Sequence, residues 1–178
     1  MSWFGLVVVL LAQMPADGVA QMKKVDRLIP QLQQMALDPR VIQAVREQNA
    51  RRASRATIEE QDKAWMATPA LTPFKEKVLS SPCSRVLNQH LKELKGAVAE
   101  AFVMDNQGAL VGSTRRTSNY WQGDEAKFTE PFKNGTVLRE KPSFDESSQS
   151  FVLQISFPVR DGGRTIGALS VGVSLLAL

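Results

Sequence analysis

With 178 residues, 43% hydrophobic and 22% charged, the chain is long enough for one domain with its own core and too apolar to be disordered. Its formal charge of +4 is interleaved with acids, which favours anionic partners weakly and argues against nucleic acid. Cys83 and His90 stand alone in their residue types. That excludes an internal disulfide, starves a Cys/His zinc site of ligands and leaves a catalytic triad a single imidazole. No metal and no cofactor is expected.

Residues 3–12 form an apolar run too short to span a bilayer comfortably. The run has the form of a signal-peptide core, although no Lys or Arg precedes it. Gly18-Val19-Ala20 supplies the small residues that a cleavage site needs before Gln21. Residues 1–20 are therefore expected to be a signal peptide, cleaved after Ala20 on export to the periplasm. Left uncleaved, the same run would serve as an anchor.

The first half of the remaining chain reads helical. Within residues 21–37, Val25, Leu28, Ile29, Leu32, Met35 and Ala36 recur at three-and-four spacing and make one apolar stripe. Pro30 is expected to kink that helix. Asp38-Pro39 opens a second helix carrying Val41, Ile42 and Val45. Thr57-Ile58-Glu59-Glu60 has the form of a capping box for a third helix, which Trp65 closes. Thr72-Pro73 and Ser81-Pro82 open two more, the last stopped at Gly96. Arg51, Arg52 and Arg55, the densest basic cluster, read as a solvated helix face.

The second half reads as strands. Residues 97–104 are a near-continuous apolar run, residues 105–108 a turn, and residues 109–114 a second strand. A short helix over 124–130 is expected to end at Pro131, ahead of a short strand over 137–141. Residues 150–160 and 165–175, joined by Asp161-Gly162-Gly163-Arg164, read as a hairpin. Helices first and strands after argue for an α+β fold with an antiparallel sheet. The helical region 21–96 would pack on the sheet region 97–178.

If Gly162-Gly163 is the hairpin loop, Phe157 lies opposite Ala168, Ile155 opposite Ser170, Leu153 opposite Gly172 and Phe151 opposite Ser174. That face matches large residues with small ones and suits a packed helix. The other face carries Gln154 and Ser156 among Val152, Leu169, Val171 and Val173. Apolar walls with few polar groups are the composition of a small-ligand cavity.

Residues 117–128 gather the only Tyr, a Trp, an amide, two acids and a Gly into one run between strands. Small polar ligands are held by that mixture of rigid aromatic walls and placed hydrogen-bonding groups. Arg115 and Arg116 precede it, and a guanidinium can grip a carboxylate with two parallel hydrogen bonds. Adjacent strand residues face opposite ways, so one of the pair is expected to point inward. The candidate ligand contacts are Arg115, Arg116, Thr117, Tyr120, Trp121, Gln122, Asp145, Gln154 and Ser156.

Val103-Met104-Asp105-Asn106-Gln107-Gly108, Phe144-Asp145-Glu146-Ser147, Pro158-Val159-Arg160-Asp161-Gly162-Gly163 and Ile166-Gly167-Ala168 resemble the strand and hairpin segments of the single Cache domains. These are PAS-like, PDC-type extracytoplasmic sensor domains. The run 117–128 is similar to one small branch of that family, with Asn119 where the branch carries Asp. The helical lead from Asp38-Pro39 to Trp65 is also similar. The resemblance implies a PAS-like antiparallel five-stranded sheet, a long N-terminal helix on one face and a small-ligand pocket on the other. It further implies sensing, with small carboxylates, amino acids or related metabolites as ligands.

No second membrane helix is expected after Leu178, and relay is expected through a separate membrane receptor or histidine kinase. The first helix would be the surface for a homodimer. Two other classes compete. An enzyme would draw on Asp124 and Glu125 or Asp145 and Glu146 as acid and base, but adjacent acids at a helix start are more simply partners of its dipole. A ligand-free module docking on a membrane receptor is the other.

Overall fold

The computed structural model describes residues 18–145 and 150–178; most of the expected signal peptide lies outside the described residues. Five helices lead: α1 (Gly18–Leu37), α2 (Pro39–Ala50), α3 (Arg55–Met66), α4 (Pro73–Leu79) and α5 (Pro82–Glu93). Three start at the cap-and-proline pairs read from the sequence. Asp38, Thr72 and Ser81 each accept a backbone N–H of the first turn, ahead of a proline whose missing N–H costs nothing there. Asp38 does more than cap, since its carboxylate also takes the Arg40 guanidinium at 2.7 Å and His90 Nε2 at 2.9 Å. The Arg40 hydrogen bond, more than any other contact, holds that carboxyl well below the usual range.

The third cap departs from expectation. Ser54, three residues before Thr57, accepts the Thr57 N–H at 3.1 Å, and α3 starts at Arg55. The Thr57 hydroxyl bonds to Ser54 rather than capping a helix of its own.

Strands β1 (Val98–Met104) and β2 (Leu110–Ser113) follow, then α6 (Ala126–Thr129), β3 (Leu138–Arg139), β4 (Ser143–Asp145), β5 (Ser150–Asp161) and β6 (Arg164–Ser174). The sheet is antiparallel and six-stranded rather than five-stranded, in the order β2-β1-β6-β5-β3, with β4 also paired to β5. The α+β class is as expected from the sequence. Pro131 does not end the helical segment after Glu125. The chain continues as a wide turn over Glu130–Asn134, with Pro131 early enough that its missing donor is tolerated, and stops at Gly135.

One core cluster unites α1, α2 and α5 with one face of the sheet. Val25, Leu32, Met35, Val41, Val45 and Leu87 meet Ala101, Val103, Leu153, Ile155, Phe157, Leu169, Val171 and Val173. The helices therefore cover the face that carries the odd-numbered residues of β5, as expected, but the partner strand is shifted by one. Arg160 pairs Thr165 next to the turn, in the expected register. Beyond it Val159 pairs Gly167 and Ile155 pairs Val171, leaving Ile166 as a bulge. Asn49 on α2 donates its side-chain amide to the Ile166 carbonyl at 2.8 Å, which holds that carbonyl for the helix.

The bulge reverses the expected face of every β6 residue that follows it. Leu169, Val171 and Val173 turn toward the helices, and Ala168, Ser170 and Gly172 turn to the other side, opposite Pro158, Ser156 and Gln154. Large residues thus meet large ones on the helix side, and the small residues open room on the other. A Cβ at Gly172 would lie 2.9 Å from Glu100 Cγ and 3.0 Å from Val152 Cγ1. Gly172→Leu is expected to destabilise by roughly 1–3 kcal/mol through overpacking. Chemical denaturation reads this directly, and an unchanged midpoint would mean that this face has space to spare.

Candidate functional site

On the sheet face away from α1, the small residues of β6 leave a shallow floor. Alternation along β1 points Glu100 and Phe102 onto it, while Ala101 and Val103 face the helices. A chain of hydrogen bonds crosses the three central strands. Ser156 Oγ donates to Ser170 Oγ at 3.1 Å, Ser170 Oγ to Gln154 Oε1 at 3.2 Å, and Gln154 Nε2 to Glu100 Oε1 at 2.7 Å. Ser156 and Ser170 are fully buried. This ladder spends the polar groups of β5 on the sheet and fixes Glu100, which then presents its carboxylate to the space above.

That space is a cavity of about 350 Å³, lined by Glu100, Phe102, Arg116, Thr117, Ser118, Gln122 and Lys127. Its roof is the run 116–122, which α3 holds in place. Trp65 Nε1 donates to the Thr117 carbonyl at 2.9 Å, and Asp62 Oδ1 accepts the backbone N–H of both Tyr120 (2.8 Å) and Trp121 (3.0 Å). The run also lies along the free edge of β2, where Leu110 N–H donates to the Tyr120 carbonyl and Gln122 N–H to the Gly108 carbonyl. Gly108, at φ +84°, passes so close to Gly123 that a Cβ there would sit 2.4 Å from Gly123 Cα. Only a residue without a side chain fits that crossing.

The charges of the cavity are arranged unevenly. Arg116 stands exposed at the mouth. Lys127 pairs with Glu125 at 2.9 Å and lies 5.6 Å from the centre of the Phe102 ring. Behind Arg116, Lys75 is fully buried, held by the carbonyls of Thr68 and Ala70. Burial and then the Arg116 charge push its ammonium pKa down. Glu100 is the opposing acid on the floor. Gln122 is 1% exposed, and its Nε2 donates to the Asn119 carbonyl at 2.8 Å. Its Oε1 is buried with no hydrogen-bond partner among the described residues. Turning the amide over would set oxygen against the Asn119 oxygen, so the orphaned acceptor is a feature of the site.

No protein-family model matches this chain, and no curated protein matches it. Solved structures do. The ligand-binding domain of the Campylobacter jejuni chemoreceptor Tlp3, in complex with 4-methylisoleucine, is 12% identical with a TM-score of 0.42 over 86% of this chain and 60% of that one. The ligand-binding domain of the Pseudomonas aeruginosa amino acid chemoreceptor PctC, in complex with GABA, is 13% identical with a TM-score of 0.44 over 88% and 61%. The sensor domain of Escherichia coli DcuS is 18% identical with a TM-score of 0.41 over 68% and 92%. Two of these are ligand-binding domains of chemoreceptors and the third is a sensor domain. The chain spans about 60% of the length of the two chemoreceptor domains. Identities this low transfer no residue role.

Of the expected contacts, Arg116, Thr117 and Gln122 line this cavity. Arg115, the more buried member of the pair, does not line it. Gln154 and Ser156 lie beneath it, engaged in the ladder rather than free for a ligand. Trp121 is structural: its indole donates to the Gln107 carbonyl at 2.7 Å, and Arg55 stacks over it at 3.7 Å. Tyr120 turns away into a different hollow. The Asp145 side chain lies outside the described residues. Glu100, Phe102, Ser118 and Lys127 were not foreseen. Glu100 had a signal, being the one charge inside the apolar run 97–104.

Proposed function

We propose that this chain is the ligand-binding unit of an extracytoplasmic sensor for a small carboxylate that also carries an N–H or O–H donor. The observation that carries the reading is the buried, unpartnered Gln122 Oε1 facing a cavity whose mouth holds Arg116 and whose floor holds Glu100. An orphaned buried acceptor is costly unless something donates to it. A ligand hydroxyl or ammonium between Gln122 and Glu100, with its carboxylate toward Arg116 and Lys127, satisfies both. Nothing in this arrangement pairs a base with a nucleophile, which favours binding over catalysis.

Melting-temperature shifts with a panel of small hydroxy and amino acids find the ligand, since a binder is stabilised by mass action. Calorimetry on variants then tests the placement. Arg116→Ala is expected to weaken binding by roughly ten- to a hundredfold, the worth of a charge-assisted contact. Arg115→Ala is expected to leave affinity unchanged. Equal affinity in wild type and Arg116→Ala would remove the ligand from this cavity.

Export completes the reading. The apolar run 3–12 and Gly18-Val19-Ala20 support cleavage after Ala20, within the first turn of α1. Mass spectrometry of the envelope protein is expected to show a chain starting at Gln21; a chain starting at Met1, or one in the cytosol, would refute it. In this reading the domain acts with a membrane receptor or histidine kinase.

A further inference from the structure

A second hollow lies at the outer edge of β2, between α2, α4 and α5, and belongs to neither the sheet-side cavity nor its ladder. Its volume is about 270 Å³. Val78, Leu110 and Val111 make an apolar floor, and the rings of Phe74 and Tyr120 meet edge-on at 5.1 Å beside it. Apolar and aromatic walls with a few placed polar groups are the composition of a small-ligand pocket.

Three donors on its wall, those of Tyr120, Arg51 and Lys77, are not engaged by the described residues. Tyr120 is 6% exposed, and its hydroxyl has no hydrogen-bond partner among the described residues. Burial pushes its pKa up to about 12, so it remains a neutral O–H donor. Arg51 and Lys77 line the same hollow, and their side chains form no ion pair or hydrogen bond among the described residues. Glu47, the opposing acid there, already accepts from Gln43 at 2.8 Å. Gln48 spends its amide on Asp105 and on the Leu110 carbonyl.

From an apolar hollow rimmed by unspent donors, we infer a second binding site, for a small carboxylate with a hydrocarbon body of about one ring. The carboxylate sits between Arg51, Lys77 and the Tyr120 hydroxyl, and the body lies on Val78, Leu110 and Phe74. An apolar cavity of roughly 150 Å³ already takes a benzene, so a ring with a carboxylate fits this one. The inference is independent of the sheet-side ligand, because the two cavities share no lining residue.

Benzoate and its neutral counterpart benzamide are the probes, titrated calorimetrically into the full chain. Benzoate is expected to bind, and benzamide about tenfold more weakly, the worth of the lost charge. Tyr120→Phe and Arg51→Gln are each expected to lower benzoate affinity by about tenfold, and Arg116→Ala to leave it unchanged. Tyr120→Phe removes a single oxygen, and Arg51 lies at the exposed rim, so both variants should fold; their melting curves verify it. Absence of benzoate binding up to roughly 10 mM overturns the site. So does equal affinity for benzamide. Loss in Arg116→Ala without loss in Tyr120→Phe would move benzoate to the sheet-side cavity and refute the second site, while leaving the first intact.

Discussion

Trp65→Ala is expected to lower the stability of this protein by about 3–5 kcal/mol, the range for emptying a fully buried large aromatic position. Trp65 is 0% exposed, with its ring 6.0 Å from both Phe74 and Tyr120. Its indole N–H also satisfies the Thr117 carbonyl. Trp65→Phe separates the two contributions. It keeps most of the apolar contact but leaves that carbonyl unpaired, a loss of about 1–3 kcal/mol. Urea denaturation followed by far-ultraviolet circular dichroism measures both. A Trp65→Ala midpoint close to wild type would mean that α3 does not support the roof of the sheet-side cavity.

Gly108→Ala carries the second large effect, although it adds only one methyl. The backbone there is left-handed at φ +84°, which costs an L-residue roughly 1–2 kcal/mol. The new Cβ would also press on the Gly123 backbone at 2.4 Å, where no side chain can swing aside. Overpacking of this kind adds about 1–3 kcal/mol. Stability and ligand affinity should fall together, because Gly108 accepts the Gln122 N–H that aligns the roof. A variant with normal stability would show that the two loop segments can part at this crossing without cost.

Much of this architecture was legible in the residues. Three of the helix starts were written as a capping side chain followed by proline, a signal that is local and nearly free of tertiary influence. The turn at residues 105–108, the hairpin at Gly162-Gly163 and the separation of helices from strands were equally local. What failed was non-local. The register of β6 was set by a bulge at Ile166 whose carbonyl is claimed by Asn49, more than a hundred residues earlier in the chain. No alternation within the hairpin could reveal that partner.

The site divided in the same way. Aromatic residues, an amide and two arginines in one run suggested a pocket wall, and part of that run does line a cavity. The division of labour inside it was hidden, because it depends on which side of the β2 edge each side chain takes. Arg116, Thr117 and Gln122 face one hollow, Tyr120 another, and Trp121 neither. Glu100 was visible as a lone charge in an apolar strand, and a charge in that setting needs a partner or a ligand.

The carboxylate of Asp62 has a kinetic consequence. It is the shared acceptor for two consecutive backbone amides, those of Tyr120 and Trp121, which lie almost sixty residues further along the chain. Neither amide can exchange its hydrogen with solvent until α3 lifts away, so the two belong to one cooperative opening unit with that helix. Closing such a distant contact comes late for a folding chain, since loop closure must precede the bonds that reward it. The roof of the sheet-side cavity is therefore closed after the local hairpin of β5 and β6 beneath it.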